Sequence, residues 1–552
     1  MQKFSSLERK QTVDQLKKES FDVLVIGGGI TGAGIALDAG SRGLHTGLIE
    51  MQDFAAGTSS RSTKLVHGGL RYLKQLQFKM VADVGKERAI VYENGPHVTT
   101  PEKMLLPFYK GGTFGPLTTN IGLLFYDLLA GVHKNERRKM LTEADVIEKE
   151  PLLRRRNLRG AGLYVEYKTD DARLTIEVLK KAVQLGARAI NYTKAIGFIY
   201  EGDKLTGVSV KDLLSGEMYE IQAKKIINAT GPWVDHVREL DLSKDGKTLH
   251  LTKGVHLVFN QQDFPLKQAV YFDGPDGRMI FAIPRGEKTY VGTTDTSYKG
   301  DMIRPDVTME DKHYILQAIH YMFPSLQLKI NQIESAWAGL RPLIAAKDTN
   351  DPGEISRKDE IFYSPTGLIS IAGGKLTGYR KMAENIIDVV TKQLKKEESV
   401  LYSPSNTKQL PISGGDVGGS AGFIRFKEDK GKEGMEQGLT HREAAYLVDM
   451  YGSNVPILFN TYSRLKQKAK ELDLDPVLLA QLVYAMEYES ACTPSDFFVR
   501  RTGTLFFHID KVYKWKQPVI DYMAKHLGWT KEQKSQYRTE LEQLLVEANP
   551  SV

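Results

Sequence analysis

The sequence predicts an α/β protein: a Rossmann-like parallel sheet interleaved with an antiparallel α+β region and followed by a helical domain. Three features lead there. Residues 21–26 (FDVLVI) form a short, β-branched apolar run that ends in GGGITGAG, and the stretch to Gly43 has helical composition. Residues 46–50 (TGLIE) return as a second strand, so the unit reads βαβ with a right-handed crossover. From residue 440 to 546 the pattern becomes amphipathic and mostly helical.

Farther elements follow in order. Residues 174–187 have helical spacing with Gly186 as a stop, and residues 224–230 (KKIINAT) read as a buried strand ending at Gly231. Residues 279–284 and 290–294 alternate as in an antiparallel sheet, and Thr308-Met309-Glu310-Asp311 resembles a capping box opening a helix to Phe323. The expected organisation is a charged segment over 1–20, a main region over 21–402, a glycine-rich linker over 403–438, and a helical domain over 439–552. Within the main region, 21–75, 170–250 and 340–400 form the nucleotide-binding part, and 76–169 with 251–339 the substrate-binding part.

Composition bounds the function. Apolar residues at 41% and charged residues at 26% are those of an ordinary globular chain. One cysteine, Cys492, excludes an intramolecular disulfide and a multi-cysteine metal centre, so no metal site is expected, and it fits a reducing, cytoplasmic compartment. The 75 basic and 68 acidic residues give +7 over a large surface, which does not point to nucleic acid. Residues 1–20 carry no apolar core or cleavage site of an export signal, and the most apolar window, 121–132, is short of the ~20 residues a membrane span needs.

Four motifs carry chemistry. In Gly27-Gly28-Gly29-Ile30-Thr31-Gly32 a strand meets a helix through glycines, which permits a tight turn and close approach to a pyrophosphate at the helix N-terminus. Glu50, at the end of the second strand, has the position of a ribose acceptor. The motif alone leaves NAD and FAD open. Thr230 and Gly231 end the 224–230 strand beside the same nucleotide, and Gly374, Lys375, Leu376 and Thr377 follow a third strand into glycines; this last is not a phosphate-loop NTPase site, because leucine follows the lysine. Thr58, Ser59, Ser60, Lys64, His67 and Gly68 can supply hydroxyl, cationic, ring and backbone groups for the cofactor, and His67, Arg71 and Tyr72 can then face the substrate.

HGGLRYL (67–73), TDDARL (169–174), NATGPW (228–233), KGVH (253–256), GTTDTSYKGD (292–301), AGLRPL (339–344) and GGKLTGYRK (373–381) together resemble the FAD-dependent glycerol-3-phosphate dehydrogenases, in the glycine-oxidase-like flavoprotein superfamily. The likeness spans residues 20–400, and VRRTG (499–503) extends it into the helical tail. Gly378 departs from the hydroxyl residue that the family pattern places there. The resemblance implies FAD, and hydride transfer from C2 of sn-glycerol 3-phosphate to the flavin. It makes Arg71, Tyr72 and Arg341 phosphate ligands, His67 or His256 the base, and Lys375 a cation beside both flavin and substrate. Asp170, Asp171 and Arg173 read instead as a structural turn and ion pair.

No second dinucleotide motif is present, so electrons leave to an external acceptor. The family offers a membrane quinone; the related α-glycerophosphate oxidases use dioxygen and carry a mid-chain insertion missing here. Arg137, Arg138, Lys139, Arg154, Arg155, Arg156 and Arg159 flank an apolar stretch that includes Leu123–Leu129, which suits peripheral contact with anionic lipid at the inner face of the cell membrane. A homodimer is left open.

Overall fold

A computed structural model describes residues 4–67, 78–112, 115–129, 136–345 and 359–549. The strand Ser20–Ile26 is its hub, because Val23, Leu24 and Val25 are buried on both faces of the sheet. It pairs in parallel with Thr46–Ile49 on one side and with Met218–Asn228 on the other. Ile369–Ala372 adds in parallel to Met218–Asn228. The register aligns Ile26 with Asn228 and Asn228 with Ser370, so three strand ends open side by side at one edge. Helices Ile30–Ser41, Asp171–Gln184 and Tyr379–Glu398 bury their apolar faces in one cluster with these strands. Among the described residues, this sheet has eight strands and a second sheet has ten.

The second sheet is mainly antiparallel, and its longest pairings join Thr99–Tyr109 to Leu158–Thr169 and Thr248–Asn260 to Ile333–Ala345. Met279–Arg285 and Lys288–Gly292 pair antiparallel, as their alternation leads one to expect. The helix Met309–Met322 carries the expected capping box, with Thr308 and Asp311 exchanging bonds. Two boundaries differ from the sequence expectation. Leu65–Val66 pairs with Leu158–Thr169 and so belongs to the second sheet, although 21–75 was assigned to the nucleotide part. Ile333–Ala345 stays in the second sheet past residue 340, because its ladder from Ala338 to Ala345 against Thr248–Val255 runs without a register shift.

The linker expected over 403–438 is corrected: Gly419–Glu436 is a helix. Its glycines are not all breakers. A Cβ on Gly434 would meet Ala444 and Phe459, so there the missing side chain lets two helices approach. The charged N-terminal segment also folds: the helix Arg9–Lys18 buries Val13 and Leu16 against the first sheet, and Phe4 packs on Phe54 at 5.2 Å between ring centres. The C-terminal unit, through Lys531–Ala548, is helical as expected. Among the described residues no helix is long and apolar enough to cross a membrane.

Buried ions tie these layers together. Arg380 donates to both carboxylate oxygens of Glu87, joining the helix Tyr379–Glu398 to Phe78–Asn94. Arg380→Met leaves Glu87 buried without this partner and should cost about 3–5 kcal/mol, read as a lower urea midpoint. His97 is enclosed near Gly414 and Gly452, and burial, with Arg173 and Lys180 nearby, pushes it down to about 3. The folded chain holds this ring neutral, whereas the unfolded chain protonates it below about pH 6.5. Its contribution is therefore complete above pH 6.5 and lost as pH falls toward 3. His97→Gln should flatten the decline of the urea midpoint between about pH 7 and 5.

Candidate functional site

The three strand ends, the segment 50–65 and part of the second sheet enclose a cavity of about 600 Å³, within the roughly 300–1,000 Å³ of small-molecule sites. Its floor is the glycine turn. Gly27 has φ +116°, and a Cβ on it would press on the Ala229 carbonyl; a Cβ on Gly32 would collide with the Gly27 carbonyl. The helix that starts at Ile30 has Gly29 as its N-cap, with no side-chain cap, so its N-terminal end faces the cavity, where an anion is favoured. Ser59 Oγ accepts from the Ile30 N–H at 2.9 Å and fixes that end.

Glu50 lies at the end of the second strand. Its carboxylate accepts from Gly28 N–H at 2.7 Å and Gln52 N–H at 2.8 Å, and burial raises its pKa. A carboxylate has about four lone-pair sites, so two remain for ribose hydroxyls. Glu50 is the only carboxylic acid among the described lining residues, which also hold Arg61, Lys194, Arg341 and Lys375. The site therefore suits an anionic ligand.

The other candidates separate into three groups. Gly27, Gly29, Ile30, Thr31, Thr58, Ser59, Thr230, Gly231, Gly374, Lys375, Leu376 and Thr377 line the cavity, as do His67, His256 and Arg341. Gly28, Gly32 and Ser60 stand behind this wall: Gly28 packs under Phe54, Gly32 closes the turn, and the Ser60 carbonyl accepts from Lys64. Lys64 is corrected as a cofactor ligand, since its buried ammonium pairs with Asp171 at 2.6 Å and does not line the cavity. Gly68, Arg71 and Tyr72 lie outside the described residues. Asp170 caps its helix and pairs with Arg285, while Arg173 pairs with Glu489 and Glu177, so this trio is structural. Gly378 is the N-cap of Tyr379–Glu398, and a Cβ there meets nothing within 4 Å, so the missing hydroxyl reflects no steric demand.

At the second-sheet side, Arg341 is held by Thr293 Oγ1 at 2.9 Å, the Thr294 carbonyl at 3.2 Å and Asp295 at 3.3 Å. His256 stacks on Trp337 at 4.9 Å and its Nε2 lies 3.0 Å from Thr63 Oγ1. Its Nδ1 is buried with no hydrogen-bond partner among the described residues. Burial, then Arg341 and Lys64, hold this histidine well below its ordinary value, so it is neutral. His67 faces the cavity with its carbonyl taken by Thr377 Oγ1 at 3.3 Å and its ring edge-on to Phe281 at 6.0 Å. Thr63, Trp337 and Gln52 were missed by sequence reasoning. The run of hydroxyls around Thr63 was visible, but its partner His256 is 193 residues away.

A glycine turn at a helix N-terminus, a buried carboxylate at the next strand end and a cationic cavity reaching the second sheet are the pattern of a dinucleotide-dependent oxidoreductase. Residues 22–380 match the family described as FAD dependent oxidoreductase, and 405–534 match the C-terminal domain of alpha-glycerophosphate oxidase. The chain is 58% identical over 545 residues to the aerobic glycerol-3-phosphate dehydrogenase of Bacillus subtilis (strain 168), covering 99% of this chain and 98% of that one. It is 56% identical to the enzyme of the same name from Staphylococcus haemolyticus, again over 99% and 98%. The glycerol-3-phosphate dehydrogenase of Bacillus halodurans, solved with FAD, has 50% identity and a TM-score of 0.87, covering 100% of this chain and 99% of that one. The L-alpha-glycerophosphate oxidase of Mycoplasma pneumoniae, at 18% identity and a TM-score of 0.56 over 71% of this chain and 98% of that one, shares the fold. The chain belongs to the FAD-dependent oxidoreductases, in the branch that holds the aerobic glycerol-3-phosphate dehydrogenases.

The residues present fit FAD: the cradle admits backbone but no Cβ, and Glu50 is left two acceptor positions. Glu50→Gln replaces an acceptor of two N–H groups by an amide and should weaken FAD binding roughly 10- to 150-fold. Titration of FAD into the apoprotein, followed by flavin fluorescence, measures this.

Proposed function

We propose that the protein oxidises sn-glycerol 3-phosphate to dihydroxyacetone phosphate and passes the electrons to a membrane quinone. The observation that carries the reading is the cavity's charge: anchored Arg341 and Lys375 line it with His67, and Glu50 is the only acid among its described lining residues. A small phosphorylated alcohol needs such a cluster, since arginine offers a planar fork to phosphate oxygens. When bound, FAD supplies the acceptor for the C2 hydride. Arg341 holds the phosphate, its guanidinium already oriented by Thr293 and Asp295, which cuts the ordering cost of binding. Lys375 places positive charge where negative charge develops.

His67 takes the proton of the C2 hydroxyl in this reading. His256 is the poorer base because Nε2 is engaged by Thr63 and Nδ1 is enclosed. Its part is to hold Thr63 at the cavity wall, with Tyr290 O–H donating to the Thr63 carbonyl at 3.1 Å.

The membrane contact is supported on the second sheet. The helix Pro116–Leu129 turns Leu123 onto Gly162 while Ile121 and Leu124 stay exposed at 46% and 49%. Arg137, Lys139, Arg155, Arg156 and Arg159 are exposed around the adjoining strands Lys139–Leu141 and Leu158–Thr169. Apolar anchors ringed by basic side chains suit an anionic bilayer surface at about 1 kcal/mol per base.

Anaerobic glycerol 3-phosphate should bleach the yellow holoenzyme; an unbleached flavin would remove the substrate assignment. Arg341→Lys should lower kcat/KM roughly 10- to 150-fold. In stopped flow, His67→Ala should slow flavin reduction by about 10²–10⁴, with a smaller loss in His256→Ala; the reverse order would exchange their roles. Peroxide formation that a quinone analogue does not suppress would favour the oxidase reading. Sedimentation with anionic vesicles at low salt, and release at high salt, checks the membrane face.

A further inference from the structure

The segment Glu50–Gly57 has two sides. Glu50, Met51, Gln52, Ala56 and Gly57 line the cofactor cavity, whereas Asp53 turns away from it into the C-terminal domain. Asp53 is fully buried and accepts from Arg500 Nε at 2.5 Å, from Arg501 Nη1 and Nη2 at 2.7 and 2.8 Å, and from Asn191 at 2.9 Å. Both arginines belong to the VRRTG stretch. They sit in a widened helical turn, Asp496–Arg501, in which Thr502 N–H donates to the Phe497 carbonyl five residues back. That turn is itself fixed: Asp496 accepts from Cys492 and Thr493 N–H and from Arg500, and Arg501 donates to the Glu489 carbonyl.

A second route reaches the same segment. Tyr192 O–H donates to Asp496 at 2.6 Å, and Tyr192 N–H donates to the Gln52 carbonyl at 2.8 Å. On the cavity side, Ala55 N–H donates to the Gly28 carbonyl at 3.0 Å, and Phe54 covers Gly28. The segment is therefore gripped between the glycine turn and the C-terminal domain.

We infer that the C-terminal domain is a clamp on the adenosine end of the cofactor cleft, with Arg500 and Arg501 as positioning residues that act through Asp53 on the segment carrying Glu50. The neighbouring guanidinium groups hold the Asp53 carboxyl down to about 2, so the pair stays ionised across the working range. Two cations converging on one buried carboxylate fix it in place, because an unpaired charge there is costly. By linkage, whatever docking contributes to FAD affinity, FAD returns to docking. The inference rests on the cofactor and not on the substrate.

The test uses the full-length protein, stripped of flavin and titrated with FAD. Arg501→Met and Asp53→Asn should raise the FAD Kd roughly 10- to 100-fold, while KM for glycerol 3-phosphate at saturating FAD stays within about twofold of the parent. Glu489→Gln is the control. It weakens the same domain interface at Arg173 and Lys180 without touching residues 50–57, so it should lower the unfolding midpoint and keep FAD affinity. Equal loss of FAD affinity in all three variants, or an unchanged Kd in Arg501→Met, overturns the clamp. If the variants do not fold, hydrogen exchange on the parent protein decides. FAD should protect amides of residues 489–503 along with those of 27–32; protection confined to 27–32 overturns the proposal. No protection at 27–32 would instead fault the cofactor assignment.

Discussion

The cleft depends on one constraint: backbones must approach where no side chain fits. The Gly32 Cα stands against the Gly27 carbonyl and Gly27 stands against Ala229. Strand, turn, helix and neighbouring strand end are thereby locked into one arrangement. Parallel pairing of Ser20–Ile26 with Met218–Asn228, and of the latter with Ile369–Ala372, brings the three glycine-bearing ends into line. At that edge the Gly28 N–H donates to the Glu50 carboxylate and the Ala55 N–H to the Gly28 carbonyl, so the turn is held by contacts outside the sheet ladder. A methyl group at Gly32 would force the helix off the strand and shift its N-terminal dipole from the cavity it faces.

Charge is managed by distance from this edge. Among the described residues at the cavity, four cations face one acid, Glu50, which leaves positive potential for anionic ligands. Behind it, basic side chains such as Lys64, Arg173 and Arg501 are spent on buried carboxylates. Such pairs contribute little net stability compared with apolar packing, but they tolerate only one geometry. They therefore fix how the C-terminal helices seat on the nucleotide-binding sheet.

Much of this was legible in the sequence where the signal is local. The strand at 21–26, the glycine turn, the Thr308 capping box and the helical tail all follow from spacing over a few residues. Lys64 was misread because its partner Asp171 is 107 residues distant, and residue type alone does not distinguish a phosphate ligand from a buried ion pair. The region 403–438 was misread because glycine marks close packing as well as chain breaks, as Gly434 against Phe459 illustrates. The sheet boundary near residue 340 was missed because a strand paired along its whole length has no compositional mark where the cavity wall begins. Thr63, Trp337 and Asp53 were invisible for the same reason as Lys64: their roles exist only through contacts made across the fold.

Asp53 and its arginine partners are separated by 447 and 448 positions along the chain. Translation delivers the βαβ unit first, and the guanidinium groups only 447 and 448 residues after the aspartate. Until then the aspartate must remain hydrated. A polypeptide that stops before residue 500 carries every glycine of the motif without the two cations that meet Asp53.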